Sequence, residues 1–316
     1  MSKSHLILAA LAAAAVSGKN FVSTELSSEQ TPGFDSAVLT SAAGNQYRVL
    51  APQNKAAEKE LAVELAALKL ISPLASSTLL VPEIVGSTTD GDAPVVVLSF
   101  HQSKQIKLGA KNSESVELLA AELGRVHSLS VIEAQKLEIP SYTSTELVTE
   151  LVNELDKLAD TGKVPGVLLS RWEKALEDIG LWRYRPAVIH GAIGIDNVGT
   201  SGDQLVMRGF GSMRVSDPAE DLAWIAGGSS EAILNACFEQ YSEIRDSDEN
   251  LVKRAIFYSE LEIARWLVFC IENEDSRAAE AAQADLDNLA EDAQRSDLPS
   301  LEATSFIGLN TEQPDS

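Results

Sequence analysis

His190-Gly191-Ala192-Ile193-Gly194-Ile195-Asp196-Asn197-Val198 follows directly on the apolar triplet Ala187-Val188-Ile189. Twelve residues past Asn197 stands Gly209-Phe210-Gly211, and Ser216-Asp217-Pro218-Ala219-Glu220-Asp221-Leu222-Ala223 comes soon after. The triplet reads as a short buried strand that runs into a polar loop. Gln204-Leu205-Val206-Met207 reads as a second strand beyond it. Proline is favoured in the first turn of a helix and a preceding aspartate is a good cap, so Asp217-Pro218 predicts a helix start. The segment is thus a small strand island that ends at a helix.

On both sides of the island the pattern is helical. Ser113–Leu129, Ser144–Asp160 and Val167–Ile179 precede it, and Ser229–Ile244 and Val252–Ile271 follow. The Ala-rich acidic stretch after Glu272 can form one more helix, and residues 296–316 read as a disordered acidic tail. The first hundred residues differ. Phe21–Leu26 and Ala37–Thr40 alternate, Ala43-Gly44-Asn45 reads as a hairpin turn into Gln46–Leu50, and Val81–Gly86 and Pro94–Phe100 flank a turn at Thr89-Asp90-Gly91-Asp92. Between them Ala57, Leu61, Leu65, Leu68 and Ile71 recur at threes and fours, which predicts one inserted helix. Strands first and helices after give an α+β chain of two lobes. Residues 1–100 form a small antiparallel-sheet lobe with an N-terminal helix, and 101–295 a mainly helical lobe that carries the island.

The chain has 316 residues and a formal net charge of −22. A field of that sign repels phosphate backbones and anionic lipid, which argues against nucleic acid and membrane surfaces as partners. It is compatible with a cationic ligand and equally with plain solubility. Cys237 and Cys270 lie in helical stretches outside any CxxC or Cys/His cluster and read as reduced, buried thiols of a cytoplasmic protein. Leu6–Val16 imitates a signal peptide, but it is mostly Ala and lacks a clean cleavage site before Ser17-Gly18-Lys19; a retained helix on the small lobe is the expectation.

The island resembles the paired motifs of the aminoglycoside/macrolide phosphotransferase family, whose fold is kinase-like. That pattern is a strand, His-Gly-Asp, four residues, Asn, a hairpin, Asp-Phe or Asp-Trp, then Gly-Asp-Pro with Asp-Leu-Ala. His190, Gly191, Asn197, Phe210, Asp217-Pro218 and Asp221-Leu222-Ala223 match it. Leu123–Leu129, with His127, looks like the family's helix that ends in Leu-His-x-Leu; a satisfied core histidine is the plainer reading of His127. Glu64 lies where the helix glutamate that pairs with a third-strand lysine would sit. The resemblance covers most of residues 5–270 and implies ATP and Mg²⁺ as cofactors, with Asn197, Glu64 and His190 as contacts and Asn197 as a metal ligand. His190 also has a purely architectural reading.

Phosphoryl transfer needs a carboxylate base, a second carboxylate with an Asn to hold Mg²⁺, and a cation on the phosphates. Here the base position is Ala192, the main metal position Gly209 and the third-strand cation position Leu50. A methyl group accepts no proton and glycine offers a metal no oxygen; loss of the base alone costs on the order of 10²–10⁴-fold in rate. Ser27–Phe34 contains only Gly33 and is a poor phosphate-covering loop. Two readings follow. One is a pseudokinase that binds a small molecule or a protein partner. The other is an active ATP-dependent phosphotransferase using displaced residues: Asp196 beside Asn197 as base or metal ligand, and Arg48, two residues from Leu50 on the same strand face, as the cation.

Overall fold

The computed structural model describes residues 3–26, 32–109 and 113–304. The chain runs α1 (His5–Ala15), β1 (Phe21–Leu26), β2 (Phe34–Ser41), β3 (Gln46–Pro52), α2 (Lys55–Ile71), β4 (Leu79–Leu80), β5 (Ile84–Asp90), β6 (Ala93–Ser99) and β7 (Lys104–Gln105). Then come α3 (Ser113–His127), α4 (Val131–Lys136), α5 (Ser144–Asp160), α6 (Gly166–Glu177), β8 (Ala187–Ile189), β9 (Val198–Ser201), β10 (Gln204–Met207) and β11 (Arg214–Ser216). The helices α7 (Ala219–Gly228), α8 (Glu231–Ile244), α9 (Leu251–Glu272) and α10 (Ser276–Arg295) complete it. The fold is α+β, an antiparallel sheet in the N-terminal region and helices in the C-terminal one.

Five antiparallel strands form the main sheet in the order β1-β2-β3-β6-β5. Side chains alternate across a strand, so β3 sends Tyr47, Val49 and Ala51 to one face and Arg48 and Leu50 to the other. On the first face these residues join Ala37, Leu39, Val95 and Val97 in a core that α1 closes with Leu8, Ala12 and Val16. The alanine-rich N-terminal run is therefore a structural helix of this sheet. Truncating fully buried Leu8 to Ala removes about 2–5 kcal/mol by the usual cavity rule. No helix among the described residues is long and apolar enough to cross a membrane.

The chain divides into two compact units, Met1–Tyr142 with Pro186–Asp246, and Thr143–Arg185 with Ser247–Ser316. The boundary expected near residue 100 falls inside the first of these. Short pairings explain it: β4 lies parallel to β10 and β7 antiparallel to β9, which makes a second sheet, β4-β10-β9-β7, that includes strands from both sides of residue 100. Two- and four-residue strands leave no readable period, so these pairings were invisible in sequence. The Thr89–Asp92 turn is also tighter than expected, with Thr89 and Asp90 still paired to Pro94 and Ala93.

The second unit packs α5, α6, α9 and α10 around Trp172, whose indole N–H donates to buried Glu260 (2.9 Å). Here the tail expectation needs correction. Asp297–Thr304 is held in place: Leu301 is buried, the Ala303 N–H donates to Asp178 (2.7 Å) and the Thr304 N–H to Asn250 (2.9 Å). Arg171 also donates to the Pro299 carbonyl (2.7 Å) and Lys253 to the Thr304 hydroxyl (3.1 Å), so the segment is held by contacts that show no helical period. Residues 305–316 lie outside the described residues, as does most of the Ser27–Phe34 loop. Both cysteines are free and buried, and burial pushes the Cys237 thiol up to about 11.

Candidate functional site

Strand β8 pairs with β11 and delivers the chain into the His190 loop from a fully buried position. Gly191 has φ +80°, and a Cβ there would stand 2.3 Å from the Ser212 carbonyl oxygen, so only glycine fits. The loop is held from behind by one carboxylate. Asp221, on the first turn of α7, accepts the backbone N–H groups of His190 (2.6 Å) and Gly191 (2.8 Å). Its Oδ2 also meets His127 Nε2 at 3.0 Å, and His127 Nδ1 meets the Tyr241 hydroxyl at 2.9 Å. Burial alone raises the Asp221 carboxyl; the His127 hydrogen bond and the neighbouring imidazoles outweigh it and hold it below the usual carboxylate range. An ionised carboxylate only accepts, so His127 Nε2 carries the proton. His127 is a satisfied core histidine.

His190 is corrected in the same way. It is fully buried, its Nε2 donates to the Arg208 carbonyl (3.0 Å) and its Nδ1 accepts the Ala192 N–H (3.3 Å). Burial lowers its pKa, which keeps the ring neutral. With both nitrogens used behind the loop, it is a strut packed on Phe210 (ring centroids 4.6 Å) and leaves the set of cofactor contacts. Asp217 accepts the Ala219 N–H (3.0 Å) at the start of α7, as its position before Pro218 predicted.

The loop's other side opens on a cavity of about 280 Å³ within the first unit. Leu50, Glu64, Ala192, Asp196, Asn197 and Gly209 all line it, so the residues singled out in sequence converge on one place, His190 excepted. Arg48 lines it as well, beside Leu50, as strand alternation required. Arg48 Nε donates to Ser36 (3.2 Å), and its charge is the leading influence that opposes desolvation at Glu64. Burial pushes the Glu64 carboxyl up to about 7, against that charge and the Gly211 and Phe210 backbone.

Sequence reading missed Glu60 and Arg208. Glu60 lies one turn before Glu64 on α2, lines the cavity, and is raised by burial. Arg208 precedes Gly209, donates to Ser103 and lies 6.0 Å over the Phe100 ring. The i−4 spacing of Glu60 was a usable signal; nothing local marked Arg208.

Gly209 shows how the metal position is filled. It has φ +74°, and a Cβ there would stand 2.4 Å from Asn197 Oδ1. Asn197 Nδ2 in turn donates to the Ala192 carbonyl (2.8 Å). The amide thus holds the Ala192 carbonyl, and its oxygen lies where a side chain at position 209 would have to be. Among the described residues no cluster of three or more His, Cys, Asp or Glu could hold a metal ion. With a methyl group at Ala192 and no side chain at Gly209, Asp196 and Asn197 are the side-chain oxygen donors that the His190–Val198 loop turns to the cavity. Toward a phosphate the lining is mixed: Leu50 offers no charge and Glu60, Glu64 and Asp196 are acidic, while Arg48 and Arg208 line the same cavity.

A family model described as the phosphotransferase enzyme family matches residues 31–249, and the chain belongs to that family. Solved structures agree on the fold. The macrolide 2'-phosphotransferase MphH of Brachybacterium faecium, an apoenzyme, superposes with a TM-score of 0.73 at 16% identity, covering 90% of this chain and 98% of that one. The GDP complex of aminoglycoside 2'-phosphotransferase-IIIa gives 0.72 at 15% identity, over 94% and 100%. The AMP-bound spectinomycin phosphotransferase gives 0.67 at 14%, over 94% and 100%. No curated protein sequence matches the chain.

Proposed function

We propose that this chain is a pseudokinase: a phosphotransferase-fold protein that transfers no phosphate and acts by binding a small molecule or a protein partner. The observation that carries the reading is the Ala192–Asn197–Gly209 brace. In it Asn197 Nδ2 donates to the Ala192 carbonyl, and its Oδ1 stands where a side chain at position 209 would have to be. Solved neighbours hold GDP or AMP, and the cavity supports a ligand less anionic than a metal triphosphate. One observation favours the active alternative: Asp196 and Arg48 line the same cavity, where a displaced base and a displaced cation would have to be.

Thermal shift and turnover separate the two. ATP with Mg²⁺ is expected to leave the melting temperature unchanged, since protection requires binding to the folded state. Incubation with aminoglycosides or macrolides is expected to give no phosphorylated product above background. Mg²⁺-dependent turnover by the wild-type chain, abolished in Asp196→Ala, establishes the active reading instead.

A further inference from the structure

The cavity within the first unit has apolar walls, Leu50, Leu98, Phe100 and Val206 among them. Two side chains of opposite charge enter it from positions more than nine-tenths buried. They are Glu64 on α2, 8% exposed, and Arg208 just past β10, 9% exposed. Charges set in such a wall decide which ligand charge is welcome, because a low dielectric strengthens attraction and repulsion alike. The charges are also sorted. Toward α2, Glu60 and Glu64 stand one turn apart and Arg48 is the cation that bears most on Glu64, so one carboxylate is in excess. Toward Phe100, among the described residues, the charged lining residue is Arg208, which stands 6.0 Å over the Phe100 ring and donates to Ser103. Asp196, the remaining charged residue of the lining, is exposed on the loop.

We infer that the cavity takes a small zwitterion, whose ammonium meets Glu64 and whose carboxylate meets Arg208, with an apolar or aromatic body between them. The inference rests on the pseudokinase reading and gives its ligand a chemical class. Simpler ligands each meet a buried charge of their own sign. A plain carboxylate or a polyphosphate faces Glu64, and a plain amine faces Arg208. A molecule that carries both charges at its two ends meets the opposite sign at each. The volume of about 280 Å³ lies just below the range of drug-sized pockets and suits a single-ring body.

Calorimetric titration of the purified full-length chain tests it, at about pH 8 where Glu64 is ionised. The probes share one ring: para-aminomethylbenzoate carries both charges, para-methylbenzylamine the cation alone and para-methylbenzoate the anion alone. The zwitterion is expected to bind at least about tenfold more tightly than either analogue. Glu64→Gln should remove its advantage over the anion, and Arg208→Met its advantage over the cation. The comparison on the wild type needs no variant, so it holds even where Arg208→Met fails to fold. No binding of the zwitterion in the millimolar range overturns the proposal. So does an analogue that binds as tightly, an advantage that survives the matching substitution, or tighter binding of neutral adenosine. The two readings fail separately: Mg²⁺-dependent ATP turnover ends the pseudokinase reading, whereas a chain without turnover that ignores the zwitterion ends this one alone.

Discussion

The loop between β8 and β9 has two sides, and they have had different fates. Behind it, His127, His190, Asp221 and Tyr241 form a buried set in which each polar group meets a partner. In front, the positions that the family resemblance assigns to base, metal and cation carry Ala192, Gly209 and Leu50. The difference separates what the fold requires from what the chemistry requires. A buried N–H or carboxylate without a partner costs stability whether or not the protein has a reaction to perform. A catalytic aspartate faces solvent or ligand, and its replacement leaves nothing buried and unpaired.

That contrast can be broken first at its strongest point. Asp221→Ala leaves two loop N–H groups and the His127 ring nitrogen without their acceptor, and is expected to cost about 3–5 kcal/mol in urea unfolding. A loss below about 1 kcal/mol would show the buried set to be dispensable. Next, Gly209→Asp places a side chain at a left-handed φ and against Asn197, and about 1–3 kcal/mol should be lost. If the front of the loop is free to vary, this substitution, alone or with Ala192→Asp, is instead tolerated and confers Mg²⁺-dependent thermal protection.

Glu64 sits between the two cases, buried yet facing the cavity. Its carboxyl ordinarily titrates near 4.5 and in the fold near 7, so the folded state holds the extra proton between those values. Its contribution is present below pH 4.5 and is lost as pH rises through about 7. Unfolding followed from about pH 5 to about pH 8 should therefore show falling stability, and Glu64→Gln should flatten that fall by about 1–3 kcal/mol. An unchanged profile in the variant would mean that Arg48 compensates the charge in full. The smallest effect expected is none at all: on the pseudokinase reading, Asp196→Ala should leave background ATP hydrolysis unchanged, because no reaction then depends on this exposed loop aspartate.

The longer helices, the first strands and the Asp217-Pro218 helix start were legible because each repeats a period or a cap chemistry over enough residues to be read locally. The altered positions were legible too, because motif spacing assigns a residue to each place along a chain. From sequence alone, then, came the α+β class, the family resemblance and the choice of Leu50, Glu64, Ala192, Asp196, Asn197, Gly209 and His190 as residues to look at. Only the tertiary structure decided which of these residues face the cavity. His190 and Asn197 are neighbours in one motif, but the first is a strut behind the loop and the second a brace in front. That assignment depends on Arg208, Asp221 and Gly209, which are brought to them across twelve to thirty-one residues of chain. Side-chain partnership over such separations leaves no period for a sequence to display, and the same holds for β4, β7 and the leucine that anchors Asp297–Thr304.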